Sequence, residues 1–513
     1  MKRAVTAHRG GDLDKAERLY RAVLKATPDN ADAFQLLGVI ECQRGRTESG
    51  IRLMDNALSI QPRHANALHN RANALFDINR LQEAIENYRQ ALAVQKNPHV
   101  HSNLIFALNF DPESSTAAQQ AERKRWYTFY ARKFAPPDPQ YRNDPDPNRR
   151  LRIGYVSSHF RRQAATFAFG GVIASHDASR FEVVCYSDTA KEDDLTARLR
   201  GRAHKWHSTS GLSDEKLAEL IRADSIDILV DCVGHMNGHR LFVFARKPAP
   251  VQVTAWGEPT GTGLDTMDYL LADPVLVPAN ERALFAEQIF DLPNFLGYWR
   301  VDSLPEATPL PAMRNGYVTF GSVNRHVKVQ EPVLRAWAAI LRALPNARLL
   351  LKWNERSIDF SGRITDLLAE DGVGRERITH LGRTGRMKHF AAYQSVDLVL
   401  DPFPHGGGMT TLDALWMGVP VITWRGNTIS SRLAAATLTS LDLADFVVPD
   451  LASYVELAVA KTKDLDALAR TRASLRERVA GSTIGDPSRY ARAVEAAYVE
   501  MWTGWCSRQR SRA

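Results

Sequence analysis

LVLDPFPHGGGMTTLDALWMGVPVIT, residues 398–423, runs from a buried strand through a glycine loop into an amphipathic helix and back into a strand. That order is a βαβ step, the unit from which parallel sheets are built. Between strand and helix stand Gly406, Gly407 and Gly408, followed by Met409, Thr410 and Thr411. Consecutive glycines let a backbone approach a ligand closely. The amides at the following helix N-terminus offer an anion site. Thr410 and Thr411 are placed to cap the helix and donate hydroxyls, and Asp413 to accept from ribose hydroxyls. No Gly-Lys-Ser/Thr follows, so this is not a P-loop. Strand, glycines, threonines, aspartate and helix together predict a site for a nucleotide diphosphate.

The same alternation extends outward on both sides. Residues 152–158, 181–187, 226–233, 251–256 and 269–273 read as buried strands, as do 318–323, 347–353, 378–382, 398–402 and 420–424. A loop-rich stretch, VDSLPEATPLPAMRNG (301–316), separates the two groups. Two βα blocks of about 150 residues predict two doubly wound α/β lobes, with ligands at the carboxyl ends of strands.

Upstream the pattern changes to a repeat. Tyr20, Met54 and Tyr88 lie 34 apart, as do Ala16, Gly50 and Ala84; Leu24, Leu58 and Leu92; and Gly11, Gly45 and Asn79. This matches the tetratricopeptide pattern, in which helix pairs bury their apolar faces only against neighbours. Asn70 and Asn103 are similar to inner-face asparagines that grip a peptide backbone. The organisation expected is an all-α repeat solenoid over 1–110 and a helical linker with a Pro/Asp-rich segment over 111–150. An acceptor-side lobe over 151–310 and a nucleotide-sugar lobe over 311–485 follow, then a terminal helix crossing back with a basic tail over 486–513.

Composition narrows the function classes. In 513 residues, 66 Lys and Arg against 58 Asp and Glu give a net charge of +8. No basic stripe with interleaved aromatics concentrates that excess, so nucleic acid is not an expected partner. No apolar run reaches the roughly 20 residues of a membrane span, and no signal-like apolar region follows the first residues. Cys42, Cys185, Cys232 and Cys506 lie far apart without a CxxC pair, which fits a reducing cytoplasm.

Five stretches give the chain a resemblance: 151–160, 244–269, 321–345, 405–423 and 431–443. In that order, behind N-terminal repeats, they resemble the O-linked N-acetylglucosamine transferase or SPINDLY-like family, across about residues 150–503. The resemblance implies tetratricopeptide repeats joined to a GT-B glycosyltransferase. It implies a metal-independent, inverting transfer from UDP-N-acetylglucosamine to Ser or Thr of a protein recruited by the repeats. Residue by residue, it makes Lys328 the catalytic cation on the donor's diphosphate, with Asn324 and Arg325 on the same loop. Arg386 and His389 fall on the nucleotide-binding pair, and Asp413 on the ribose-binding aspartate. Gly257 and Pro259 fall in the segment lining the sugar pocket.

Three positions depart from the family's pattern. Gln163 stands where the family has a histidine often proposed as the base, Gly408 replaces a donor-contacting histidine, and Glu258 replaces a tyrosine. His405, three residues before Gly408, is a donor-site candidate. His159, His235 and His239 are candidates for the base, with His235 foremost because it follows strand 226–233 into the cleft. No acidic DxD stands at a strand end, so no metal is expected. The alternatives are a nucleotide-binding scaffold without turnover, a nucleotide-sugar epimerase, and a protein glycosyltransferase using another donor sugar.

Overall fold

A computed structural model describes residues 1–353 and 358–511. The last two residues of the basic tail, 512–513, lie outside the described residues. The N-terminal region is a succession of paired helices: α1 (Lys2–Arg9), α2 (Leu13–Ala26), α3 (Ala31–Gln43), α4 (Thr47–Ile60), α5 (Ala65–Asp77), α6 (Leu81–Val94) and α7 (Pro98–Leu108). The 34-residue register has a physical cause at each position. Tyr20, Met54 and Tyr88 are buried between successive helices. At Gly50 a Cβ would lie 2.4 Å from Cys42 Sγ, so the α3–α4 crossing admits no side chain there. Gly11, Gly45 and Asn79 turn the chain between paired helices with φ of 80°, 81° and 64°, a region open to Gly and, among other residues, chiefly to Asn and Asp. Asp12 and Asn30 cap α2 and α3 by accepting from Lys15 N and Ala33 N.

A further helix, α8 (Thr116–Trp126), leads into two parallel sheets. The first contains β1 (Leu151–Ser157), β2 (Phe181–Ser187), β3 (Lys205–Ser208), β4 (Ile228–Asp231), β5 (Val251–Thr254), β6 (Tyr269–Ala272) and β7 (Gln288–Asp291), in the order 3-2-1-4-5-6-7. The second contains β8 (Thr319–Val323), β9 (Arg348–Lys352), β10 (Ile378–Leu381), β11 (Leu398–Leu400), β12 (Val421–Trp424) and β13 (Val447–Val448), in the order 10-9-8-11-12-13. Central strands are buried on both faces and read as continuous apolar runs. Every strand expected from the sequence is present. The three not expected, β3, β7 and β13, are short edge strands, and β3 (KWHS) and β7 (QIFD) are partly exposed, without an apolar run to betray them.

Strand order reverses between β1 and β4 and again between β8 and β11. Loops leaving such adjacent strands diverge and open a crevice at their carboxyl ends. The Pro/Asp-rich segment runs along the first lobe, where Asn143 and Arg149 bond the Asp227 carboxylate. The terminal helix Pro487–Arg510 lies on the first lobe against α9 (Ala164–Ser175). Its Tyr490 hydroxyl accepts from Trp256 Nε1 at 2.8 Å, so its aromatics are core. Among the described residues no helix is long and apolar enough to cross a membrane.

Candidate active site

A cleft of about 860 Å³ opens between the carboxyl ends of the two sheets. From the first lobe it is lined by Gln163, which precedes α9, and by Gly257 and Pro259 from the loop after β5. From the second lobe come Asn324, Arg325 and Lys328 after β8, and Arg386 and His389 after β10. His405, Gly408, Met409, Thr410 and Asp413 complete that side, after β11. Gly257 is a glycine because a Cβ there would lie 2.2 Å from the Cys232 carbonyl oxygen.

The glycine loop is shaped from below by Asp401. Its Oδ1 accepts from Gly407 N at 2.8 Å and its Oδ2 from Thr423 Oγ1 at 2.8 Å. A Cβ on Gly406 would stand 2.9 Å from Asp401 Oδ2, and one on Gly407 would stand 2.5 Å from Thr411 Oγ1. Those two glycines therefore serve the loop's own packing. Gly408 differs: a Cβ there would meet nothing closer than Leu296 at 3.9 Å, so it keeps the cleft floor open. Gly407 and Thr411 lie beneath that floor and do not line it. The helix Met409–Trp416 starts without a side-chain cap. Thr410 does not cap it, because its hydroxyl donates to Asn324 Oδ1 at 3.1 Å.

Lys328 reaches the same loop from the other strand of the switch point. Its Nζ donates to the Gly406 carbonyl oxygen at 2.7 Å. Burial pushes this ammonium's pKa down, and the Asp401 charge pulls it back up; burial pushes Asp401 up in turn. The result is a buried cation and carboxylate flanking the start of a helix. His405 sits beside them with Nδ1 3.0 Å from the Gly406 carbonyl oxygen, and burial holds its pKa well below the usual imidazole range.

Further along the cleft, Asp413 accepts from the Tyr298 hydroxyl at 2.7 Å. Burial raises its carboxyl to about 6, against the Tyr298 hydrogen bond and the Arg386 charge. His389 is brought down to about 4 by burial and then by Lys352 and Arg386, so it is neutral at pH 7. Arg386 does not stand free for a nucleotide: its Nε meets Asp302 at 2.8 Å, and Asp302 also binds Arg162 of the first lobe at 2.8 Å. The two lobes are tied across the cleft mouth by this shared carboxylate.

Two further expected site residues lie elsewhere. His235 follows β4 at the switch point but turns away from the cleft. Asp231 accepts from Val233 N and Gly234 N, folding the loop back, and the imidazole packs edge-on against Trp126 at 5.1 Å. Its Nε2 donates to the Thr262 carbonyl oxygen at 2.8 Å, and burial depresses its pKa strongly. Glu258 likewise points to the back of the lobe, accepting from Asn109 Nδ2 at 2.6 Å and from Arg123 at 3.3 Å. His159, buried, and His239, half-buried, lie outside the cleft lining as well, His239 within 3.1 Å of Ser102 Oγ. Asn103, expected on an inner face, bonds Asn73 Oδ1 at 3.1 Å.

Sequence reasoning missed Lys352 and Tyr298. Lys352 ends β9, paired with Val323 at the end of β8, and the strand-end rule would have found it. Tyr298 gave no signal, since it comes from an irregular segment between the lobes. Among the described residues no three His, Cys, Asp or Glu side chains gather to share a metal ion.

Comparison with known proteins gives the following. The sequence pattern of the family described as Glycosyl transferase family 41 matches residues 78–300 and 310–494, and a tetratricopeptide repeat pattern matches 29–97. A probable UDP-N-acetylglucosamine–peptide N-acetylglucosaminyltransferase SPINDLY of Solanum lycopersicum is 34% identical over 414 residues, 79% of this chain and 44% of its own. A UDP-N-acetylglucosamine–peptide N-acetylglucosaminyltransferase of Caenorhabditis elegans is 23% identical over 471 residues, covering 69% of this chain and 41% of its own. The chain thus spans less than half the length of these curated relatives. Among solved structures, a mutant O-GlcNAc transferase of Thermobaculum terrenum superposes with a TM-score of 0.90 at 35% identity, over 99% of this chain and 97% of that one.

Proposed function

The chain belongs to glycosyl transferase family 41, and from that membership and the cleft we propose that it moves N-acetylglucosamine from UDP-N-acetylglucosamine onto Ser or Thr hydroxyls of a protein. The observation that carries this reading is the Lys328 ammonium, buried and bonded to Gly406 at the helix start within a nucleotide-sized cleft.

In this reading the acceptor oxygen forms a bond to the anomeric carbon on the face opposite the diphosphate. The bond from that carbon to the diphosphate oxygen breaks, its electron pair stays on the phosphate, and the anomeric configuration inverts. Charge grows on the leaving oxygen as the bond breaks, so a fixed cation and a helix N-terminus stabilise the transition state more than the ground state. Lys328 and the helix Met409–Trp416 would supply that stabilisation without a metal ion. Asp413 keeps its second carboxylate oxygen for ribose hydroxyls while Tyr298 holds the first. The hydroxyl's proton needs an acceptor, and the imidazoles lining the cleft are His389 and His405, not His235. The repeats would recruit the acceptor protein. The free cysteines suit a cytoplasmic setting.

The test is mass spectrometry of proteins from cells with and without the gene, backed by purified enzyme, excess EDTA and a panel of UDP- and GDP-sugars. A gain of one N-acetylhexosamine on Ser or Thr from the UDP donor supports the reading. Transfer of another sugar would correct the donor, and nucleotide binding without any transfer would favour the scaffold.

A further inference from the structure

We infer that Asn79, in a turn of the repeats, is a positioning residue for Lys328: it holds the loop from which that ammonium reaches the glycine loop. The inference rests on the role proposed above for Lys328.

The loop after β8 is fastened to the repeats on both sides of Lys328. Before it, His326 Nε2 donates to the Asp77 carbonyl oxygen at 2.5 Å, and the Val327 side chain is buried in the hydrophobic core of the repeats. After it, Asn79 Nδ2 donates to the Val329 carbonyl oxygen at 2.6 Å, and Asn79 Oδ1 accepts from Gln330 Nε2 at 2.5 Å. Gln330 closes the arrangement by also donating to the Val327 carbonyl oxygen at 2.8 Å. Lys328 itself points the other way, to Gly406. One carboxamide thus grips the backbone and side chain of the two residues that follow the cation.

The repeat register isolates what Asn79 adds. Its counterparts Gly11 and Gly45 occupy the same left-handed turn, and a Cβ at either would meet nothing within 4 Å. Where no loop faces the turn the residue is Gly. Where the Lys328 loop faces it, the residue is Asn, which tolerates positive φ and supplies a donor and an acceptor. Turn geometry alone does not call for the carboxamide.

Asn79→Gly is therefore a clean test in the full chain, since it restores the residue of the other two repeats without backbone strain. Hydrogen exchange should rise in the segment 324–331 and stay unchanged in the rest of the second lobe. Turnover should fall about tenfold, the effect of losing two ordinary hydrogen bonds, while the KM for the donor stays nearly constant. In a Lys328→Met background the same substitution should change turnover less than about twofold, because coupled residues are not additive. Gln330→Leu, which removes the bond from the loop side, should reproduce the exchange and turnover effects. Unchanged exchange in 324–331 would overturn the inference, as would a loss that persists at full size in the Lys328→Met background. If Lys328→Met alone costs nothing, the proposed role of Lys328 fails and takes this assignment with it, whereas the exchange result still decides whether Asn79 holds the loop.

Discussion

Phe110, two residues past α7, lies stacked on His405 of the glycine loop, with ring centroids 4.6 Å apart and planes 23° from parallel. Its neighbour Asn109 bonds both lobes: its carboxamide donates to Glu258 of the first, and its carbonyl oxygen accepts from Ser430 of the second at 3.0 Å. Thr116 adds a bond to the Asn427 carbonyl oxygen at 3.0 Å. The end of the repeats therefore braces the glycine loop from behind and ties the two lobes together.

Removing residues 1–110 should thus damage the enzyme itself, not merely its choice of acceptor. The expected loss is several kcal/mol, seen as a fall in Tm of more than about 5 °C or as insolubility. Removing residues 1–62 keeps α5, the turn at Asn79 and Phe110, and should leave UDP affinity unchanged. Thermal unfolding with and without UDP on both truncations checks this. Equal behaviour of the two would contradict this bracing role.

Arg123 should be a stability residue. It is wholly buried and bonds Asn109, Glu258 and Thr260, the last at 2.7 Å. Arg123→Met leaves Glu258 buried without its cation, which typically costs about 3–5 kcal/mol. Urea unfolding measures it. Replacing Glu258 by Gln in the same chain should recover part of that loss, and a loss no smaller than in the single variant would mean the pair is not what stabilises this interface.

The fold was legible because its central strands are uniformly apolar and its repeats recur at a fixed period. Edge strands such as KWHS at β3 lack that signal. The glycine loop was legible as a loop between strand and helix, but not which glycine does what: only the closeness of Asp401 and Thr411 separates Gly406 and Gly407 from the open Gly408. His235 misled because strand-end position says where a loop starts, not where it turns. Asp231 folds that loop back, and Trp126, from more than a hundred residues upstream, covers the imidazole. Glu258 was misplaced for the same reason, since its partners Asn109 and Arg123 come from the repeats and linker.

Asp413 should make nucleoside binding sensitive to pH. Its carboxyl, raised to about 6, protonates as pH falls through that value and loses an acceptor for ribose hydroxyls. Uridine, which carries no phosphate of its own to titrate, should bind more weakly at pH 5 than at pH 7. Asp413→Asn should bind it weakly at both. For the empty protein the sign reverses. A folded-state value above the unfolded one, about 3.9, means this group costs stability as pH rises from about 4 to about 6. A uridine affinity flat from pH 5 to 7 in the unaltered protein would remove Asp413 from the ribose site.

The central claim is that Lys328 stabilises charge on the departing diphosphate. The most direct measurement compares Lys328→Met with the unaltered chain for turnover and for UDP affinity, in EDTA throughout. Methionine keeps most of the lysine stem's bulk but removes the ammonium, and with it both the charge and the hydrogen bond to the Gly406 carbonyl oxygen. Losing one such charge-stabilising contact costs on the order of a hundredfold to a thousandfold in turnover. UDP affinity should fall far less, because the contact strengthens only as the bond breaks. Near-normal turnover in Lys328→Met, or a loss matched fold for fold by weaker UDP binding, would contradict the account.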